Sequence, residues 1–198
     1  MTSWPDPGAG GAGAAARRPA RGRLLVATPL LDDPNFTRTV VLLLEHGEDG
    51  AFGLVLNRPT ELTLDDAVPD WRPVAAAPAV VFSGGPVSPE AVIALGRGPA
   101  DAGDGWIAVA GDLGTVDIGR PPGAAGAPVR ALRVFAGYAG WAGGQLEAEI
   151  AEGAWFVVDA DPDDAFTTRP ARLWRDVLRR QRGRIALFAS YPDDPDTN

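Results

Sequence analysis

Short apolar runs separated by turn signals dominate this chain and predict a strand-rich fold. Runs of a few aliphatic or β-branched residues between glycine, proline or asparagine clusters are typical of buried strands. They occur at 24–27, 39–44, 51–56, 80–82, 91–95, 106–110, 129–136, 154–158 and 185–189. Residues 46–50 form a connection of hairpin length between the second and third runs, so we expect these two strands to pair antiparallel.

Helical patterns are fewer than strand patterns. Thr63 is a suitable N-cap for a short helix at 64–67. Residues 145–151 place Leu146 and Ile150 on one face, and residues 171–181 read as an amphipathic helix. Strands outnumber helices and hairpin-length links dominate the first half, so the pattern predicts an α+β fold with a mainly antiparallel sheet and a few flanking helices.

The apolar pattern also suggests the domain boundaries. Residues 1–20 are rich in Gly, Ala and Pro and contain little to bury, so we expect a disordered arm. Residues 191–198 are acidic and contain proline, which is typical of a flexible tail. The 198-residue chain is therefore expected to form one domain at 21–190.

Composition narrows the class of protein. Apolar residues make up 45% of the chain, enough for one core. The absence of cysteine excludes disulfides, thiolate metal sites and a thiol nucleophile. No apolar run reaches the roughly 18 residues that a transmembrane helix needs. The composition therefore predicts a cytoplasmic protein with no membrane partner.

Charge is distributed unevenly along the chain. The net charge of −8 argues against broad affinity for nucleic acid, which requires a positive face. Residues 169–184, however, contain seven Arg and one Asp, so this segment carries +6 and the rest −14. The segment is the candidate for nucleic-acid contact, or else a solvated face that pairs with the acidic body. The candidate contacts are Arg172, Arg175, Arg179 and Arg182.

A glycine-rich segment at 135–150 is the most distinctive local pattern. A β-like run meets four glycines, Tyr138 and Trp141, and the segment then continues as a short helix. We expect a tight turn between strand and helix. One hypothesis is an anion site at the helix N-terminus; the alternative is a turn that lets the two aromatic side chains pack over the core. The spacing matches neither the P-loop nor the dinucleotide fingerprint.

Few residues suggest catalysis. His46, the one histidine, is either a general base or a polar hairpin residue. Ser83 lies in Phe-Ser-Gly-Gly-Pro, which fits a strand-ending turn better than a nucleophile elbow. Glu147 and Glu149 are two residues apart and do not share a helix face, so Glu147 is expected to cap backbone groups or to pair with an arginine such as Arg58. No catalytic residue is assigned.

The sequence also gives little support for a metal or cofactor site. Asp32, Asp33 and Glu45 have oxygen ligands for a hard cation but lack calcium-loop spacing. A single histidine with no cysteine makes a poor transition-metal site. We therefore expect no metal and no cofactor.

Three blocks of the sequence resemble one known family. The first runs from Ala-Thr-Pro-Leu-Leu-Asp-Asp-Pro-Asn-Phe at 27–36 through His46 to Asn-Arg-Pro at 57–59. The second is Gly-Gly-Pro at 84–86, and the third is Gly-Tyr-Ala-Gly-Trp at 137–141 with Gln-Leu-Glu at 145–147. In this order they resemble the YqgE/AlgH family of bacterial proteins. The resemblance implies a compact α+β domain whose sheet curls into a partial barrel. It implies no known reaction, and one branch of the family carries the label of transcriptional regulator.

Three function hypotheses follow. The preferred one is a non-enzymatic binding or regulatory domain, in which three rigid turns form one surface for an unknown protein or small ligand. The alternatives are DNA binding through 169–184 and a hydrolase or transferase that uses His46. Six tryptophans leave room for an apolar patch and thus for a homodimer. The candidate surface comprises His46, Asn57, Arg58, Gly84, Gly85, Pro86, Tyr138, Trp141, Gln145 and Glu147, and we expect Arg58, Trp141 and Glu147 to share one concavity.

Overall fold

The computed structural model describes residues 18–99, 103–123 and 128–192. Within these residues the strands are β1 Arg23–Ala27, β2 Val40–Gly47, β3 Gly50–Val55, β4 Pro59–Thr63, β5 Val80–Ser83, β6 Val87–Arg97, β7 Trp106–Ala110, β8 Leu113–Val116, β9 Ala131–Ala142 and β10 Trp155–Asp159. The helices are α1 Leu64–Ala67, α2 Gln145–Ala151, α3 Pro170–Arg179 and α4 Arg184–Leu187, with 3-10 turns at Pro69–Val74, Asp164–Phe166 and Phe188–Ser190. Most of the predicted arm and acidic tail, residues 1–17 and 193–198, lie outside the described residues, as do 124–127 of the loop after β8.

The strands form one mainly antiparallel sheet that curls into a half-barrel. Its order is β10-β1-β2-β3-β9-β6-β8-β7, with β4 and β5 attached beside β9. Among the strands that the structure describes, the one parallel pair is β5 with β9, where Phe82 is opposite Phe135. This architecture confirms the expected single α+β domain with a partial barrel and a few flanking helices.

Strand β9 organises the sheet because it borders three others. Its C-terminal half pairs with β3, and its N-terminal half pairs with β6 and β5. Phe135 lies in the main core with α3, whereas Trp141 lies in the core on the other face beneath α2. Regular alternation would place two positions six residues apart on the same face, so the change of face comes from the irregularity near Gly137, where φ is +70° and the pairing with β6 shifts. A third cluster packs around Trp71 and α1.

Several predicted boundaries were wrong. The strand predicted at 129–136 continues to Ala142, so Tyr138 and Trp141 lie on a strand and not in a tight turn. The apolar run at 185–189 forms α4 and a 3-10 turn instead of a strand. Length and hydrophobicity alone do not separate a short buried strand from a short helix. His46 and Gly47 belong to β2, which leaves a tighter hairpin than predicted, and β4 and β8 were missed.

Gly137 of β9 serves close backbone packing instead of turning the chain. A Cβ on Gly85 would lie 2.2 Å from the carbonyl carbon of Tyr138, and one on Gly84 would lie 2.3 Å from the carbonyl oxygen of Gly137. Gly137 also has a φ of +70°, which disfavours any other residue. The Gly84–Gly85 segment therefore lies directly against β9, and this contact accounts for Gly84, Gly85 and Gly137.

Candidate functional site

A surface pocket of about 470 Å³ collects four arginine side chains in this acidic protein. We call it the arginine pocket. None of the described residues that line it is acidic. They are Arg38, Asn57, Arg58, Pro59, Arg169, Pro170, Ala171, Trp174 and Arg175.

Asn57 holds the β2–β3 side of the arginine pocket together. Its side chain is buried; Oδ1 accepts a hydrogen bond of 3.0 Å from the Val40 amide, and Nδ2 donates one of 2.9 Å to the Arg38 carbonyl. The amide thus ties the chain just before β2 to the chain just after β3. Arg38, whose φ is +55°, and Arg58 are held on the two sides of this link.

The arginines are oriented by backbone carbonyls and by one indole. Arg58 donates from Nη2 to the Thr37 carbonyl at 2.6 Å, and Arg175 donates from Nη2 to the Tyr191 carbonyl at 3.4 Å. The guanidinium carbon of Arg38 lies 4.8 Å from the centroid of the Trp174 ring, a cation–π geometry. These contacts restrict the side chains before any ligand arrives, which lowers the entropic cost of binding.

Helix α3 forms the opposite wall. It begins with Pro170 at N1, and its buried Trp174 donates from Nε1 to the Ala27 carbonyl at 2.8 Å, which docks the helix on β1. The positive end of the helix dipole therefore faces the pocket. Arg169 at its N-cap is largely exposed and lies 3.5 Å from Asp176.

A smaller notch of about 200 Å³ adjoins the arginine pocket and shares Arg58 with it. Asn35 and Ser83 contribute polar side chains, and Gly85 contributes bare backbone. We call this concavity the glycine notch. It is lined by Pro34, Asn35, Val55, Arg58, Ser83, Gly85 and Pro86.

Trp141 belongs to an aromatic cluster and not to either concavity. It is 6% exposed, lies 6.1 Å from the Phe36 ring centroid and meets the Trp155 ring edge-on. The Glu149 carboxylate accepts hydrogen bonds from both indoles, at 2.9 Å from Trp141 and 2.8 Å from Trp155. Gln145 donates to the other oxygen of Glu149 at 2.9 Å. The cluster anchors α2 on the sheet, a structural role for residues that the sequence suggested as a binding surface.

His46 pairs with Glu147 at the surface. His46 Nε2 lies 2.6 Å from Glu147 Oε1. This hydrogen bond is the main cause that holds the pKa of Glu147 below its ordinary value, with smaller contributions from a backbone hydrogen bond and the charge of His46. Glu147 therefore pairs with His46. The sequence had suggested pairing with an arginine such as Arg58.

The sequence-predicted surface residues are distributed over separate places. Asn57 and Arg58 line the arginine pocket, while Gly85 and Pro86 line the notch beside it and Gly84 is buried against β9. Tyr138 packs against Phe52 on the face of β9 opposite Trp141. The structure therefore does not place Trp141, Glu147 and Arg58 around one concavity.

The four arginines predicted to contact nucleic acid do not form one surface. Arg172, Arg179 and Arg182 are exposed, whereas Arg175 is half-buried in the arginine pocket. Arg179 lies 3.6 Å from Asp176. The +6 of this segment is thus partly neutralised and divided between the two ends of α3.

Sequence reasoning missed Arg38, Arg169 and Trp174 as pocket residues. Arg38 and Trp174 are 136 positions apart, and only the docking of α3 on β1 brings them together. The available signal was the recurrence of arginine next to both Asn57 and Pro170, but neither neighbourhood indicates the other. No group of three or more His, Asp or Glu residues suited to a metal occurs in the described part of the chain.

Comparison with known proteins assigns the family. A family profile described as AlgH-like matches residues 24–186. The chain belongs to the AlgH-like family. A UPF0301 protein of Streptomyces coelicolor is 53% identical over 182 residues, covering 89% of this chain and 94% of the relative. A UPF0301 protein of Thermobifida fusca is 47% identical over 191 residues, covering 89% of this chain and 94% of the relative.

Two solved structures share the fold. The crystal structure of DIP2367 from Corynebacterium diphtheriae is 33% identical, with a TM-score of 0.84 over 90% of this chain and 95% of that one. The solution structure of AlgH from Pseudomonas aeruginosa is 28% identical, with a TM-score of 0.64 over 91% of this chain and 100% of that one. None of the helices in the described ranges is long and apolar enough to cross a membrane.

Proposed function

We propose that this AlgH-like protein is a non-enzymatic binding domain that holds a small anionic ligand in the arginine pocket. The observation that carries the proposal is the convergence of Arg38, Arg58, Arg169 and Arg175 on one concavity of a chain with net charge −8. Guanidinium groups bind phosphate and carboxylate oxygens with paired, charge-assisted hydrogen bonds, so several of them around one concavity suit an anionic ligand.

Local electrostatics also favour an anion. The dipole of α3 and the guanidinium groups add at the same place, whereas the acidic body repels anions elsewhere. The shared Arg58 extends the cationic surface into the glycine notch, where Asn35 and Ser83 offer neutral hydrogen-bonding groups. A ligand with one anionic group and a small polar remainder fits this arrangement.

Titration calorimetry with inorganic phosphate and pyrophosphate at low salt tests the proposal. We expect binding that weakens by at least about a hundredfold in Arg58→Ala plus Arg175→Ala, since each lost charge-assisted contact removes about 1.5–3 kcal/mol. Arg172→Ala is the matched control, because it removes an exposed charge from the same helix outside the pocket. No binding to the native protein, or an equal loss in Arg172→Ala, would contradict the proposal.

DNA binding by 169–184 is the second candidate function, and the exposure of Arg172, Arg179 and Arg182 favours it. Fluorescence polarisation with duplex DNA at about 50 and about 200 mM salt distinguishes it, because phosphate-driven affinity falls steeply over this range. Affinity lost on Arg172→Ala plus Arg179→Ala, with phosphate binding unchanged, would favour the regulator.

A hydrolase or transferase that uses His46 has less support. His46 contacts Glu147, whereas Ser83 lines the glycine notch, and no hydrogen bond joins His46 to Ser83 in the described part of the chain. A base without a nucleophile in reach lacks the geometry of covalent catalysis. Activity on any substrate that disappears in His46→Ala would restore this hypothesis.

A further inference from the structure

The C-terminal part of the chain is held at the arginine pocket by two of the arginines that line it. Tyr191 packs against the main core, and its amide donates to the Phe188 carbonyl at 3.0 Å. Arg175 donates from Nη2 to the Tyr191 carbonyl at 3.4 Å. Arg38 donates from Nη2 to the same carbonyl at 3.4 Å and also to the Pro192 carbonyl. The fold therefore directs the chain to the pocket.

The sequence that follows Pro192 is acidic. Residues 193–198 read Asp-Asp-Pro-Asp-Thr-Asn and contain no basic residue, and we call them the acidic segment. An extended chain advances about 3.3–3.6 Å per residue, so Asp193 and Asp194 lie no more than about 7 Å along the chain from Pro192. Since the Pro192 carbonyl contacts a pocket arginine, both carboxylates are within reach of the pocket.

The arginine pocket and the acidic segment are complementary in charge. None of the described residues that line the pocket is acidic, and Arg58 and Arg169 add two guanidinium groups to those that hold the chain. A guanidinium has five N–H donors, so one that already donates to a backbone carbonyl can also bind a carboxylate. Pro195 favours an extended conformation at Asp194, which lowers the entropy lost when the segment becomes ordered.

We propose that the acidic segment occupies the arginine pocket of its own chain and competes there with the external anion. The competition rests on the proposed function, whereas the contact between segment and pocket does not. A segment attached next to its site has an effective concentration on the order of millimolar, so a few weak ion pairs are enough to fill the pocket. An anionic ligand must displace the segment, which raises the ligand concentration needed for binding.

Titration calorimetry of the full chain with pyrophosphate at about 100 mM salt tests the competition. Asp193→Asn, Asp194→Asn and Asp196→Asn together remove the negative side chains of the acidic segment and keep its length. We expect this triple variant to bind pyrophosphate about tenfold more tightly, because several weak ion pairs no longer compete.

A matched control separates competition from the change in net charge. Glu48→Gln, Asp49→Asn and Glu90→Gln together remove the same number of negative charges from exposed positions outside the pocket. Charges further away than about 10 Å are largely screened at this salt concentration, so the affinity of the control should stay within about twofold of the native value.

Amide relaxation measured by NMR tests the contact without a ligand. At about 20 mM salt we expect Asp193 and Asp194 to be ordered, and at about 500 mM salt to have order parameters below about 0.6, because salt screens exposed ion pairs. Arg58→Ala should release them at low salt as well. Its guanidinium donates to the Thr37 carbonyl, so the substitution leaves the contacts to Tyr191 in place.

The two experiments distinguish failure of this proposal from failure of the proposed function. Amides of the acidic segment that are mobile at low salt overturn the proposal. Ordering that appears only as protein concentration rises also overturns it, because the segment of a second copy would then be the occupant. Equal pyrophosphate affinity in the native chain and the triple variant overturns the competition. Ordered amides without pyrophosphate binding to either protein would support the contact and contradict the proposed ligand.

Discussion

The arginine pocket and the site of Arg133 present the same side chain in opposite environments. Arg133, on β9, is 1% exposed, and its guanidinium donates to the carbonyls of Ala165 at 3.1 Å and Ala77 at 2.6 Å. It lies 4.4 Å above the Phe82 ring. Burial lowers the pKa of Arg133 to about 10. Arg58, by contrast, is exposed at the rim of its pocket.

The difference separates a structural from a binding use of arginine. The Arg133 guanidinium donates to two backbone carbonyls and lies over an aromatic ring. All of these contacts are inside the fold, so the group serves the structure and not a ligand. The pocket arginines converge on an open concavity, where several like charges meet. Arginine content alone therefore does not identify a functional arginine; the direction and exposure of the guanidinium do.

Removing the buried arginine should have the largest effect. Arg133→Ala leaves two carbonyls without their donor and creates a cavity, so we expect a loss of about 3–5 kcal/mol in the free energy of unfolding. Urea denaturation measures it. Arg133→Lys, which keeps the charge but cannot span both carbonyls, should fall between the native protein and Arg133→Ala. A loss below about 1 kcal/mol would show that the loops do not depend on this contact.

Arg180 is the intermediate case because it has a buried carboxylate partner. Its guanidinium contacts Asp164, which is 6% exposed. Burial alone would lower the pKa of Arg180, but the hydrogen bond and the charge of Asp164 raise it above its ordinary value. Arg180→Ala leaves that carboxylate unpaired, and since Arg180 is itself one-third exposed we expect a loss of about 1–3 kcal/mol. Arg179→Ala, one residue away and exposed, is the control for thermal denaturation.

Substitution of a pocket arginine should affect ligand binding more than the free energy of unfolding. Arg58→Ala is expected to change the free energy of unfolding by less than about 0.5 kcal/mol, because it removes one exposed side chain. The same change should weaken phosphate binding measurably. Loss of folding together with binding would remove the distinction between the two classes of arginine.

The smallest effect is expected at the His46–Glu147 pair. Glu147 has a lowered pKa in the folded protein, so its contribution is present above the unfolded value, about 4.3, and is lost as pH falls through the folded value. The carboxylate is exposed, which limits the contribution to a few tenths of a kcal/mol. Stability measured from about pH 6 to 3 should fall slightly less in Glu147→Gln than in the native protein. An identical pH dependence would show that the pair is without energetic effect.

Local patterns predicted well where neighbouring residues decide the structure. The hairpin of β2 and β3, the Thr63 cap of α1 and the helix at Gln145–Ala151 all appeared as expected. The prediction was wrong where distant backbone decides: the glycines around Tyr138 suggested a tight turn, but Gly137 lies on β9 and accommodates the Gly84–Gly85 segment instead. The 185–189 run was misread because its helical form depends on packing against the main core.

The sequence by itself determined the family, the fold class and the uneven distribution of charge, because these follow from ordered motifs, hydrophobic period and residue counts. Tertiary structure alone decided which arginines meet. Arg38 and Arg175 reach one pocket because Asn57 ties β2 to β3 and Trp174 docks α3 on β1. Arg133 reaches the interior because its position on β9 faces loops that come from far along the chain. Contacts between residues distant in sequence depend on packing, and no local pattern specifies them.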